Sequence, residues 1–270
     1  MMTEPLATPD SVGMNPRKID DLQRQVKQQV ADGLSPGAQV VVARHAQVVL
    51  DMALGTARAN PPTPVTHDTL FYSWSVAKPV TAMAVHLLIE RGQLALDDPL
   101  VKYWPEFGKH GKERVLVRHV LAHRAGFPLP PDSFPWYDYH DWDAAVRGME
   151  DVTLKFEPGS AVQYHALTFG WALGELVRRV DGRRIEDFVQ AEFFSPLQMR
   201  HTYLKLPEAL LPCTVELSAP PDFSDGVQGA FVFNIPQMRT AVIPAAALHT
   251  TARDMARFYQ MLLNGGELDG

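Results

Sequence analysis

The chain has one cysteine, Cys213, among its 270 residues. A single thiol excludes an intrachain disulfide and any motif that needs two sulfurs, so Cys213 is read as a buried or inert thiol. Positive charge is also scarce: 25 lysines and arginines face 31 acidic residues, a formal net charge of −6. No basic cluster interleaves with aromatics, so nucleic acid is excluded as an expected partner. No run reaches the roughly eighteen apolar residues of a membrane span. Met1–Arg17 carries Pro5, Pro9 and Pro16 and lacks the basic and apolar regions of a secretory signal, so no membrane partner and a cytoplasmic location are expected.

What is present suffices for a sizeable core. With 46% hydrophobic and 21% charged residues, the chain fits one large globular domain or two interleaved ones. Ile19, Leu22, Val26 and Val30 repeat at helical spacing, predicting a surface helix over 17–32 that ends at Gly33. Two β-rich runs, 38–43 and 48–53, join around Arg44-His45-Ala46-Gln47 as a hairpin. Residues 168–180 and 185–194 have the spacing of core helices, and 206–237, rich in Pro, Gly, Ser and Asp, reads as long loops. Thr251-Ala252-Arg253-Asp254 resembles a capping box opening a helix to Leu263. Two strands are too few for a stable sheet, and the sequence does not obviously supply more.

The stretch that points to chemistry is Phe71-Tyr72-Ser73-Trp74-Ser75-Val76-Ala77-Lys78, followed by an apolar helical run from Pro79 to Arg91. A helix beginning near Ser75 stacks its hydroxyl beside the Lys78 amine, because residues three apart share a face. A serine hydroxyl is a weak nucleophile until a neighbour takes its proton, and lysine does so when burial or nearby positive charge lowers its pKa. With nine serines and eight lysines in the chain, this spacing arises by chance in roughly one such chain in four. A helix cap followed by a solvated lysine is the competing reading.

The surrounding residues decide between them. Pro36-Gly37-Ala38, Asp68-Thr69-Leu70-Phe71, Val117-Arg118-His119-Val120-Leu121-Ala122-His123-Arg124-Ala125-Gly126, Phe156-Glu157-Pro158-Gly159 and Phe194-Ser195-Pro196-Leu197-Gln198-Met199 follow one another in order. In this order they resemble the serine β-lactamase-like hydrolases, in the branch of class C β-lactamases, DD-peptidases and family VIII carboxylesterases. The resemblance implies an α/β (α+β) fold of the β-lactamase/transpeptidase type, an antiparallel sheet flanked by helices plus a mainly helical lobe. Residues 1–64 and 232–270 would form the α/β lobe, and 65–231 the helical lobe carrying the catalytic residues.

It also implies a second catalytic element, a tyrosine followed by Ser or Ala and then Asn, where this chain has Tyr164-His165-Ala166. Tyr164 then shares a proton with Lys78 while Ser75 attacks a carbonyl. Ala166 stands where an amide would orient the lysine and contact a β-lactam side chain, which favours a carboxylesterase acting on small acyl esters. A β-lactamase or DD-peptidase-like amidase or acyltransferase is the alternative. A truncated, non-catalytic binding protein is the second, because the Lys-Thr-Gly or His-x-Gly strand that completes the family's oxyanion hole is missing from the sequence and the sheet is expected to be incomplete. His249-Thr250-Thr251 offers the histidine without the glycine and reads as loop. A C-terminal fragment as a second chain, or a homo-oligomer, is the expected protein partner.

Three further positions are candidates for substrate binding. Trp136 and Tyr137, in an aromatic loop that runs to Trp142, could rim an acyl or alcohol group or pack on their own domain. His165 could line the pocket or serve a capping or surface role. His119 and His123, four apart, have the spacing of a zinc helix, but Val120 holds the place of the glutamate and no third ligand is evident. They are expected near the floor of the site, with no metal and no organic cofactor.

Overall fold

The computed structural model describes residues 6–219 and 222–269; of the N-terminal stretch read above, residues 1–5 lie outside it. Helix α1 (Pro16–Ala31) starts where expected, because the Asn15 side chain accepts from Arg17 N and Pro16 takes the first turn. It lays Ile19 against Val49, Leu50 and Met52 of a hairpin. Strands β1 (Gly37–Arg44) and β2 (Gln47–Arg58) pair antiparallel, with an irregularity between Val42 and Ala43. His45 and Ala46 at the tip both take positive φ, 52° and 61°, the geometry whose twist matches the strands. At the other end Gly55 (φ 87°) crosses Pro36 so closely that a Cβ would lie 2.4 Å from Pro36 O.

A third strand forms beyond the hairpin, after Pro61 and Pro62. Strand β3 (Thr63–Pro64) extends the sheet to the order β1-β2-β3. The far edge of β1 carries no strand among the described residues, and helix α9 (Ala252–Leu263) lies beside it. Between them runs a groove of about 440 Å³ lined by Val40, Val41, Met255 and Tyr259.

The larger core is helical. Helix α2 (Ala77–Glu90) is its axis, with Val80, Ala84, Val85 and Leu88 fully buried, and it packs on α5 (Thr168–Asp181), whose Leu173, Leu176 and Val177 are equally buried. Helices α3 (Val117–Leu121), α4 (Trp142–Asp151) and α6 (Ile185–Val189) complete this core, α6 continuing as a wider turn over Gln190–Phe194. Gly170 lets α5 touch the segment 243–248: a Cβ there would lie 2.3 Å from Ala245 N. That contact places Ala245 beside α2.

Several expectations need correction. The stretch read as long loops contains helix α7 (Ser224–Asn234) and the short α8 (Pro236–Thr240). Gly226 and Gly229 weaken the intrinsic helical signal, and burial of Val232, with Phe233 packed against the core, holds the turn. His249-Thr250 is strand rather than loop: Phe71–Tyr72 (β4) pairs antiparallel with His249–Thr250 (β5), Tyr72 opposite His249. The reading of Thr251 as a cap holds by half. Its side chain accepts from Asp254 N at 3.2 Å, but the Asp254 carboxylate accepts from His201 N and the Thr202 hydroxyl, both at 2.8 Å. Cys213 is exposed rather than buried.

Candidate active site

Ser75 sits in a single tight turn, Trp74–Val76, that leads directly into α2. Helix starts leave their first N–H groups without intrahelical partners, so Ser75 N–H points from an electropositive end. The residue before it, Trp74, has φ 48°, a left-handed conformation that costs a bulky side chain energy. Rings hold it there: Trp74 packs edge-on against Tyr72 at 5.0 Å and Phe233 at 4.9 Å. Ser73 fixes the approach, its N–H and hydroxyl both donating to Leu248 O at 2.9 Å.

Lys78, one turn on, is 6% exposed. Its amine lies 3.2 Å from Ser75 Oγ and donates to Ala166 O at 2.8 Å and Ala245 O at 3.0 Å. An ammonium uses its three hydrogens on these three acceptors. A neutral amine gives two to the carbonyls and turns its lone pair toward the serine hydroxyl. Burial lowers the Lys78 pKa, and the adjacent Tyr164 partly restores it. The neutral form is therefore reached at lower pH than for a solvated lysine.

Tyr164 lies in the loop before α5, its hydroxyl donating to Ser75 Oγ at 2.7 Å and its ring 4.8 Å from Lys78 Nζ. Partial burial alone would raise the phenol pKa. Lys78 and Ser75, by hydrogen bonding and the lysine charge, outweigh it and bring the value down. Ser75, Lys78 and Tyr164 thus form one hydrogen-bonded cluster, although Tyr164 comes from a separate stretch of chain.

The histidines hold this loop. His123 packs its ring 4.8 Å from that of Tyr164, and its Nδ1 accepts from His165 N at 3.1 Å. His119 Nδ1 accepts from Leu116 N at 3.2 Å, and its ring lies against Gly159, where a Cβ would come within 3.1 Å of it. Arg124 donates to Gly159 O. Among the described residues no group of three His, Cys, Asp or Glu side chains converges as a metal site would.

The three substrate-binding candidates fall elsewhere. His165 is fully buried: Nδ1 donates to Gln163 O at 2.6 Å and Nε2 accepts from Phe127 N at 3.2 Å. Both nitrogens are occupied and burial pushes its pKa down to about 4, so it is a neutral brace for the loop and not a pocket wall. Trp136 and Tyr137 sit in a short turn, exposed, with rings 5.8 Å apart. Among the described residues no hydrogen bond or ring contact joins either to Ser75, Lys78 or Tyr164.

Sequence reasoning missed the two carbonyls that orient the lysine. Ala166 lacks the amide that the resemblance led us to expect, yet its backbone oxygen binds Lys78 directly, and Ala245 O does the same. Backbone oxygens leave no trace in residue identity. The only available signal was the placement of Ala166 two residues after Tyr164.

Known proteins resemble the chain over most of its length. The esterase/beta-lactamase LipL of Mycobacterium tuberculosis is 31% identical over 273 residues, covering 87% of this chain and 60% of LipL. The esterase EstB of Burkholderia gladioli is 35% identical over 181 residues, covering 61% of this chain and 46% of EstB. The chain therefore spans about half to three fifths of these curated relatives' length. A solved family VIII carboxylesterase superposes with a TM-score of 0.86 at 28% identity, covering 99% of this chain and 73% of that one. The fold is accordingly β-lactamase/transpeptidase-like, with the sheet incomplete. The model of the family described as Beta-lactamase matches residues 22–270, and the chain belongs to the beta-lactamase family.

Proposed function

We propose that this chain carries the nucleophile and proton relay of a serine hydrolase that cleaves small esters through an acyl-enzyme. The observation that carries this reading is the convergence of Tyr164 OH and Lys78 Nζ on Ser75 Oγ, at 2.7 and 3.2 Å. Ser75 attacks the ester carbonyl, Lys78 and Tyr164 pass its proton to the departing alkoxide, and water or an alcohol releases the acyl group. The Ser75 N–H stabilises the developing oxyanion. None of the five strands among the described residues carries the Lys-Thr-Gly or His-x-Gly triplet that would add the second donor. A further polypeptide segment docked on the open edge of β1 would extend the sheet and supply it.

The preference for esters rests on Ala166 and on the esterases among the relatives. LipL is named for both activities, which keeps β-lactam or peptide amide hydrolysis as the second reading. Assaying a short-chain p-nitrophenyl ester and nitrocefin on one preparation separates them. We expect kcat/KM for the ester to exceed that for nitrocefin by at least ~100-fold, a difference of about 2.7 kcal/mol in transition-state binding. Comparable values would overturn the ester preference. Absence of both activities, with no fluorophosphonate label on Ser75, would favour a non-catalytic binding protein.

Lowered pKa values of the Lys78–Tyr164 pair set the pH dependence. Ester turnover should rise with pH along a limb that belongs to the coupled pair and lies below the ordinary lysine value of 10.5. Tyr164 raises the Lys78 pKa, so Tyr164→Phe removes that support and should move the limb to lower pH while cutting kcat by about 10²-fold or more. A limb that moves up, or a rate that does not change, contradicts the relay.

A further inference from the structure

Beneath the turn that carries Ser75 lies a group of polar side chains that the reaction does not use. Tyr72 on β4 and His249 on β5 face each other across the strand pair, their rings perpendicular at 5.0 Å. Arg239, on α8, is tied to the same place. One guanidinium nitrogen donates to Val215 O at 2.6 Å and to Asn234 Oδ1 at 2.7 Å. Val215 N in turn donates to Leu70 O, two residues before Tyr72. All three side chains are buried: His249 is 0%, Arg239 3% and Tyr72 4% exposed.

Four of their polar atoms have no partner among the described residues: Tyr72 Oη, Arg239 Nη1, and both ring nitrogens of His249. Native interiors pair nearly all such atoms, so four in one place call for an occupant. The charge narrows its identity. Arg239 has only neutral acceptors and forms no ion pair among the described residues, while Arg58 adds a second positive charge nearby and Glu216, exposed, offsets it only in part. A buried guanidinium without a counter-charge is strongly unfavourable, and a water molecule would fill the hydrogen bonds while leaving the charge. The field of Arg239 reaches both neighbours. It opposes the burial that raises Tyr72, and it adds to the burial that brings His249 down to about 3.

We propose that Arg239, Tyr72 and His249 form a binding site for one small inorganic anion of halide size. Arg239 Nη1 and the Tyr72 hydroxyl donate to it, and His249 donates from whichever ring nitrogen carries the proton, so the ion partners three of the four atoms and leaves the second His249 nitrogen, an acceptor, outside it. Each of these atoms has less than 1 Å² of accessible surface, so the occupant is no larger than a single small ion, and the packed side chains must part to admit it. This site does not rest on the ester reading: among the described residues no hydrogen bond or ring contact joins Arg239, Tyr72 or His249 to Ser75 or Lys78, and its link to the Ser75 turn is the Tyr72 ring packed on Trp74.

Bromide is the probe. Crystals grown in sodium bromide should show an anomalous peak within about 3.5 Å of Arg239 Nη1 and Tyr72 Oη. In solution, bromide should raise the melting temperature by roughly 3 °C or more over sodium gluconate at equal ionic strength, because only the folded protein offers the site. Arg239→Met should lose this bromide-specific rise. Should that variant fail to fold, Tyr72→Phe removes one donor without changing shape and should reduce the response several-fold. A non-anomalous water peak, an empty site, or an equal rise in the Tyr72→Phe and parent proteins would overturn the proposal. None of these outcomes depends on whether the chain hydrolyses esters.

Discussion

Ester turnover by the Ser75→Ala protein is expected to fall by at least ~10⁴-fold, to the background set by the remaining site. The hydroxyl is the centre of the cluster: it accepts from Tyr164 and lies within hydrogen-bond distance of Lys78, and no other hydroxyl shares that position among the described residues. Ser75 is exposed, so losing one oxygen opens no cavity in the core and unfolding should shift by less than about 1 kcal/mol. Initial rates on a short p-nitrophenyl ester, with intact mass after incubation with the ester, give the two readouts. Rate and acyl adduct should vanish together while the melting temperature holds. Retention of more than a tenth of the parent rate would move the nucleophile elsewhere.

Lys78→Met should lower kcat by about 10³–10⁴-fold by removing the proton acceptor and keeping the side-chain volume. Its effect on stability has opposing parts. Ala166 O and Ala245 O lose their donor, at a cost of about 1–3 kcal/mol for each buried acceptor left unpaired. Against this, the folded protein no longer holds a charge in a site that is 6% exposed, a burial that costs several kcal/mol when the charge is poorly compensated. We expect the two to cancel to within about 2 kcal/mol. A lysine that served only to brace the chain would show the reverse pattern, with stability lost and the rate of the folded fraction kept. Urea unfolding alongside kcat distinguishes them.

The parts of this molecule legible in its sequence are those written in periodicity and local spacing. Ser75 and Lys78 stand three apart at a helix start, and the helix formed there. Ile19, Val26 and Val30 marked α1, and Thr251 marked the start of α9. What escaped was written in distant contacts. Helix α7 contains two glycines and forms because Val232 is buried and Phe233 packs against the core. Strand β5 is two residues long and exists because Phe71–Tyr72 on one side and Tyr203 on the other run alongside it. The fate of His165 was also invisible, since a histidine next to Tyr164 in sequence turns inward to bind Phe127 N and Gln163 O. Arg239 drew no notice within a stretch read as loop and the segment after it, and its buried position follows from Val215 and Asn234.

The two carbonyls on Lys78 also set a timetable. They lie 88 and 167 positions downstream of the lysine they orient. At ribosomal rates of about 5–20 residues per second, the second arrives on the order of ten seconds or more after the lysine has been made. Until then the growing chain holds a serine hydroxyl whose neighbouring amine is solvated, protonated and unable to accept its proton. Contacts of such long sequence separation also form late when the complete chain refolds. Recovery of esterase activity should therefore lag behind recovery of helical structure, and partly made or partly folded molecules carry no activated nucleophile.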